Sequence, residues 1–301
     1  MSKKLVFTAF IMFLSCTICM ADTIYVDQSG GGDYTTMQDG INAAYAGDMV
    51  KVGPGVYKEN VVIDKDLKLS GSGPVWSTIE ASLDGITVNA NLIVEISGFT
   101  ITAGDDGIDI NRNGITCMVE NCIIVSCGAN GIFCIYRTGQ NVSIFNNTII
   151  MNGTSGISMH GSSSSANIQG NICYSNGHRG IYIDFGKTNI SFNNVFNNSS
   201  SNYNVCEPGE GDISQSPRFI DENSGNFALR SDSPCIDSGR AGASHNDPDG
   251  TRNDMGAFAG PDSAAFWPYI AGGPTVSDIS VTPASVPQGG TITIEATGRV
   301  K

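Results

Sequence analysis

Between roughly residues 85 and 205 the chain repeats itself. A Gly-Ile pair returns as Gly85-Ile86, Gly107-Ile108, Gly131-Ile132, Gly156-Ile157 and Gly180-Ile181, and Asn204-Val205 continues the series. The successive intervals between the Gly-Ile pairs are 22, 24, 25 and 24 residues. Two residues after each Ile stands another apolar residue: Val88, Ile110, Cys134, Met159 and Ile183. Alternation with a period of two places both on the same face of a strand, so each repeat opens with a strand whose apolar pair faces inward.

Other columns keep the same register. Asn121-Cys122, Asn146-Asn147, Gly170-Asn171 and Asn193-Asn194 recur at one phase. The apolar column Ile124, Ile149, Cys173 follows them, and Val119, Val142/Ile144, Ile168 and Ile190/Phe192 precede them. Each repeat therefore predicts three short strands separated by turns. Such a unit cannot bury its own apolar face, whereas stacked units can. The fold class that follows is all-β: a right-handed, single-stranded parallel β-helix with coils ~4.8 Å apart. Recurring Asn would then stack as an internal amide ladder, each side chain donating to the next. A leucine-rich repeat has a similar period but needs a Leu signature, and a β-sandwich has no fixed repeat.

A solenoid needs its end coils covered. In residues 34–47, Met37, Ile41, Ala44 and Tyr45 recur at helical spacing, which predicts a short amphipathic capping helix. The pattern assigns 22–262 to the β-helix and 263–275 to a linker. Residues 276–301 read as the first strands of an immunoglobulin-like module too short to complete a sandwich.

Composition agrees with the pattern. The 301 residues hold 37 Gly, 33 Ile, 26 Asn and only 7 Leu, a balance that favours strands and tight turns over helices. The formal charge of −13 argues against nucleic acid, whose binding rests on Lys and Arg neutralising phosphates. Residues 1–21 read as a signal peptide: Lys3 and Lys4, an apolar stretch from Leu5 to about Leu14, and Cys19-Met20-Ala21 before the cleavage point. Processing as a lipoprotein at Cys16 is the alternative. No later segment is apolar over the ~20 residues that span a bilayer. The expected location is outside the cell or on its surface, and the expected state is a monomer. Seven Cys remain after the signal, an odd number without metal spacing, so they read as free, buried apolar residues. A Cys206–Cys235 bridge is the alternative.

The segment IYVDQSGGGDYTTMQDGINAAYAGDMVKVGPGVYKENVVI resembles the N-terminal region of right-handed parallel β-helix repeat proteins of the pectin-lyase-like superfamily. Residues 216–239 and 246–261 resemble the closing segment of exported proteins of that kind. The resemblance spans about 24–262. It implies the fold, while the superfamily's activities include lyases, esterases, glycosidases, epimerases and proteins without catalysis.

Chemistry has to sit on residues that point away from the core. Two residues after each Gly the column reads Thr87, Asp109, Phe133, Ser158, Tyr182. Four residues after, it reads Asn89, Asn111, Ile135, His160, Asp184. Stacking places His160 beside Asp184, with Tyr182 diagonal to it. His160 is a candidate general base oriented by Asp184, and Asp109 and Tyr182 lie on the same face. Arg137 and Arg112 leave the same strands and are candidates to neutralise a uronate carboxylate ahead of β-elimination. Phe133 and Asn111 would contact a sugar chain lying along the axis. The solvated surface pair is the plain alternative for His160 and Asp184.

Turns supply carboxylates. Asp84 and Asp106 fall on adjacent coils with Asp105 alongside, and AGDDGIDI resembles the paired-Asp motif of polygalacturonases, which implies glycoside hydrolysis. The later Gly-His-Gly of that family is replaced by Gly128-Ala129-Asn130. The same acids, and Asp247, Asp249 and Asp254 in DPDGTRND, are candidate ligands for Ca²⁺, a hard cation that prefers oxygen. For the second group a tight Asx turn is the competing reading. The expectation is an exported β-helix protein that binds or degrades extracellular polysaccharide, lyase-like, possible calcium included. The alternatives are a non-catalytic surface scaffold and a glycoside hydrolase.

Overall fold

A computed structural model describes residues 21–89, 92–111, 113–136, 139–161, 165–184, 188–266, 275–282 and 293–299. Residues 1–20 of the expected signal peptide and most of the expected linker lie outside the described residues, as do Arg112 and Arg137.

Three parallel sheets wrap one core in about seven coils. The chain visits them in rotation. A first coil runs Asp48–Val52 in the first sheet, Gly55–Tyr57 in the second and Val61–Ile63 in the third, then returns to the first at Leu67–Gly71. The register keeps like above like: Ile86, Ile108, Ile132, Ile157 and Ile181 stack in one column of the third sheet. All five are fully buried. Glycine precedes each because the next coil's backbone passes too close for a Cβ. One built on Gly131 would lie 2.7 Å from the Gly156 carbonyl oxygen, and one on Gly107 would lie 2.6 Å from that of Gly131.

The amide ladder is present, and there are two among the described residues. In the first, Asn147 donates to Asn171 Oδ1 from both its backbone (2.9 Å) and its side chain (3.0 Å). Asn171 donates likewise to Asn193, and Asn193 to Asp212. The second runs Asn152, Asn176, Asn198, Asn202 with the same double donation. Cys122 and Cys127 hold the equivalent positions one coil earlier, their amides donating to Asn147 and Asn152. The expected pairing of Asn193-Asn194 with Asn146-Asn147 is off by one residue. Asn194 pairs with Ile172, so Asn193 aligns with Asn171. Phe192 takes the left-handed turn position that Asn121, Asn146 and Gly170 occupy on earlier coils.

The capping helix is short, Met37–Ala43, and buries Met37, Gly40 and Ile41. Thr36 accepts the Asp39 amide as N-cap. Glu59, from the first coil, accepts the Met37 and Gln38 amides at 2.9 and 3.0 Å. At the other end Lys65 donates to the carbonyls of Ile41, Asn42 and Ala44. Both charges complement the helix ends.

Residues 216–262 do not stop at the end of the solenoid. They fold back along the second sheet and cover its outer face. Phe219, Phe227, Cys235, Met255 and Ala257 pack on Ile123, Val125, Ile150 and Ile172 in a second apolar cluster. Asn121 Nδ2 donates to the Ala257 and Ala259 carbonyls at 3.0 and 2.7 Å, which pins the segment across more than a hundred residues of sequence. The seven Cys among the described residues are all free, six of them buried, so Cys206 and Cys235 are not bridged. Burial pushes the Cys117, Cys122 and Cys127 thiols up to about 12, which keeps them protonated and unreactive. Beyond the linker, Thr275–Thr282 and Thr293–Arg299 pair as an antiparallel hairpin. No helix among the described residues is long and apolar enough to cross a membrane.

Candidate functional site

The outward column of the third sheet runs Val62, Thr87, Asp109, Phe133, Ser158, Tyr182 in strict register. Ile135 pairs with His160 two residues further along. Small residues give way to rings at Phe133, and from there three rings follow on consecutive coils. Phe133 meets His160 edge to face at 5.9 Å between centroids, and His160 meets Tyr182 at 4.7 Å. The Arg179 guanidinium carbon lies 4.6 Å above the Tyr182 ring, a cation–π contact.

His160 and Asp184 do come together, with Nδ1 3.2 Å from Asp184 Oδ2. Their side chains are 38% and 31% exposed, so the pair is reachable from solvent. Asp184 is held from two further directions: the Gly161 amide donates to Oδ1 at 2.7 Å, and the Tyr182 hydroxyl donates to Oδ2 at 3.3 Å. Desolvation and the neighbouring Asp184 carboxylate raise the Tyr182 phenol, so it stays a donor. The other ring nitrogen of His160 is also engaged: Nε2 lies 3.1 Å from Ser158 Oγ. With Nδ1–H directed at the carboxylate, Nε2 is the lone-pair nitrogen that accepts the serine hydroxyl.

Sequence reasoning missed Ser158 and Arg179. Ser158 stands in the outward column but carries no role in the sequence reading. The signal was there: a Ser-X-His on one strand points both side chains to the same face. Arg179 belongs to the strand Arg179–Ile183, one residue before the Gly180-Ile181 pair. Asp109 is half-buried two coils before Ser158 in the same column, separated from the His160 group by Phe133. Asn111 lies beyond the Ile108–Ile110 strand end.

Asp84, Asp105 and Asp106 gather at the turn before this sheet, each offering an oxygen within 4.8 Å of the others. Asp106 Oδ1 already accepts the Asn130 amide and side chain at 2.7 and 2.9 Å, and Asp84 Oδ1 accepts the Asp106 amide at 3.2 Å. Burial raises the Asp106 carboxyl. Asp247, Asp249 and Asp254 do not converge in this way. Asp247 accepts the amides of Asp254 and Gly260 at 2.8 and 2.6 Å, Asp254 accepts that of Asp237 at 2.7 Å, and Asp249 accepts that of Thr251 at 2.9 Å. These three acids shape the folded-back segment through local hydrogen bonds.

A separate cleft of about 150 Å³ opens where that segment meets the first sheet, lined by Glu120, Gln169, Arg240, His245, Asn253 and Asp262. Desolvation lifts the Glu120 carboxyl to about 7, with Asp262 adding to the rise.

Residues 75–213 match the protein family described as right handed beta helix region. Over 101 residues the chain is 32% identical to a "Cell surface glycoprotein" of Methanothermus fervidus, a match that takes in 33% of this chain. It spans 17% of that protein's length. Among solved structures, pectate lyase Pel9A aligns over 80% of this chain and 97% of its own, at 12% identity and a TM-score of 0.35. The observed topology is that of a right-handed parallel β-helix, the fold that the family match over residues 75–213 also describes.

Proposed function

We propose that the third-sheet face from Phe133 to Tyr182 is the saccharide-binding surface of an exported or surface-held β-helix protein. The observation that carries this reading is the run of rings on successive coils, Phe133, His160 and Tyr182, capped by Arg179. Rings presented on successive coils, edge to face and tilted against one another, offer apolar contacts to sugar units of an extended chain, and the polar atoms of Asp184 and Arg179 beside them match hydroxyls or a carboxylate. Similarity to a cell surface glycoprotein over one third of the chain is consistent with a place outside the cell.

A direct lyase role for His160 has less support than the sequence suggested. Abstracting a proton from a sugar ring needs a ring nitrogen that faces the substrate, whereas Nε2 faces the Ser158 hydroxyl and Nδ1 faces Asp184. Calcium at Asp84, Asp105 and Asp106 belongs to the same reading. The donors are hard carboxylate oxygens on adjacent coils, the chemistry Ca²⁺ takes, with water completing the shell.

The test is a panel of pectate, alginate, glycosaminoglycan and neutral glycans, scored for binding, unsaturated products and new reducing ends. Wild type should bind at least one glycan, and Tyr182→Ala and His160→Ala should weaken that binding tenfold or more. Equal behaviour of wild type and both variants on every glycan would remove this surface from consideration.

A further inference from the structure

The atom order Ser158 Oγ, His160 Nε2, His160 Nδ1, Asp184 Oδ2 is that of a proton relay feeding a hydroxyl. The two links measure 3.1 and 3.2 Å. A carboxylate on Nδ1 fixes the tautomer that leaves Nε2 free to take a proton, and the group Nε2 faces is a primary alcohol. Each member is held by the fold. Ser158 and His160 are two residues apart on one strand, so their side chains leave on the same side. Asp184 comes from the next coil, fixed by the Gly161 amide and the Tyr182 hydroxyl. Ser158 is only 4% exposed, flanked in register by Phe133 and Tyr182.

We infer that Ser158, His160 and Asp184 form a nucleophilic serine site that cleaves acyl esters. The substrate class is an O-acylated saccharide whose ring packs on Phe133 or Tyr182, an assignment that rests on the saccharide reading of this face. In the first step Oγ forms a bond to the acyl carbon as its proton passes to His160 Nε2. The carbon–oxygen bond to the sugar then breaks, and the departing sugar oxygen takes that proton. Water repeats the sequence, giving its proton to Nε2 and its oxygen to the acyl carbon, and releases the carboxylic acid with Ser158 restored. No oxidant, reductant or metal enters the balance.

The experiment treats the full chain with a fluorophosphonate, which bonds to an activated serine oxygen with loss of fluoride, and reads the product by intact mass and peptide mapping. A single adduct on Ser158 is expected, absent in Ser158→Ala. His160→Ala should slow labelling by at least ~100-fold, as loss of a general base does. Asp184→Asn should slow labelling and change its pH profile, an effect that loss of packing alone would not give. Release of acetate from an acetylated oligosaccharide should follow the same order of variants. Absence of a Ser158 adduct on wild type that retains its circular dichroism overturns the inference, as does labelling at a rate independent of His160. Glycan binding by wild type is measured in parallel. Binding without an adduct sinks the esterase and leaves the saccharide surface standing. An adduct without glycan binding does the reverse and makes the acyl substrate something other than a sugar ester.

Discussion

A buried amide side chain has four hydrogen-bonding sites, and in this solenoid the ladder asparagines fill them. Asn171 shares its two Nδ2 protons among the Ile144 and Gln169 carbonyls and Asn193 Oδ1, and its own Oδ1 accepts two bonds from Asn147. Removing it leaves several polar groups dry, each costing about 1–3 kcal/mol. Asn171→Ala should therefore lower the free energy of unfolding in urea by on the order of 3 kcal/mol. Asn189 makes a superficially similar bond to Asn167, but on the exposed face. Asn189→Ala should change stability by less than about 0.5 kcal/mol. Equal losses in the two variants would mean that stacking amides add nothing beyond packing. The first ladder was readable because Asn recurs next to an apolar column. The second was hidden in plain view: Asn152 and Asn176 each precede a Gly, and an Asn-Gly pair reads as a turn. The relay was half readable for a related reason. Alternation reveals which residues share a face, but which of them bond to each other depends on rotamers and coil offset.

At the scale of elements, the folded-back segment 216–262 is where sequence reasoning fell furthest short. Ile123-Ile124-Val125 is buried at all three positions, and Ile149-Ile150 at both. One residue of each run faces the core, and its neighbours lie under the returning chain. Periodicity identifies the inward column but says nothing about a cover supplied from 136 residues away. That cover carries carboxyls out of water. Burial raises Asp247 and Asp254, which lie against each other, and lifts Glu120 to about 7. A carboxyl raised in the folded state binds more protons there than in the unfolded chain between its ordinary value and its raised one. Stability tied to it is thus greatest in acid and is lost as pH climbs through that window. For Glu120 the window runs from 4.5 to about 7. Glu120→Gln should raise the thermal midpoint at pH 8 and leave it nearly unchanged at pH 4.5. A variant whose midpoint shift is the same at both pH values would show that Glu120 is not buried as described.

The whole molecule is a stack in which each coil touches chiefly the one before and the one after, so anything that staples two coils adds to the cooperativity of the rest. Asp84 sits on one coil and Asp105 and Asp106 on the next, which makes a cation there such a staple. EDTA should lower the thermal midpoint and added Ca²⁺ restore it, with up to about 2.7 kcal/mol at a hundredfold excess over the dissociation constant. Asp105→Asn, at an exposed position, should abolish the difference while folding normally. Identical midpoints with EDTA and with Ca²⁺ in wild type would dismiss the ion. Architecture at this scale was the most legible property of the chain, because one structural rule is written into it again and again.

The repeated unit also constrains how such a molecule can change over generations. Duplication or loss of a coil at most boundaries lengthens or shortens the rod and leaves the chemistry alone. The boundary inside the relay is a different case. Ser158 and His160 belong to one coil and Asp184 to the next. An extra unit slipped between them would move the carboxylate a full coil away from the imidazole. Gene rearrangements that are silent elsewhere in the solenoid would be felt there, so a lineage that uses the relay should vary in coil number on either side of this seam and stay constant across it.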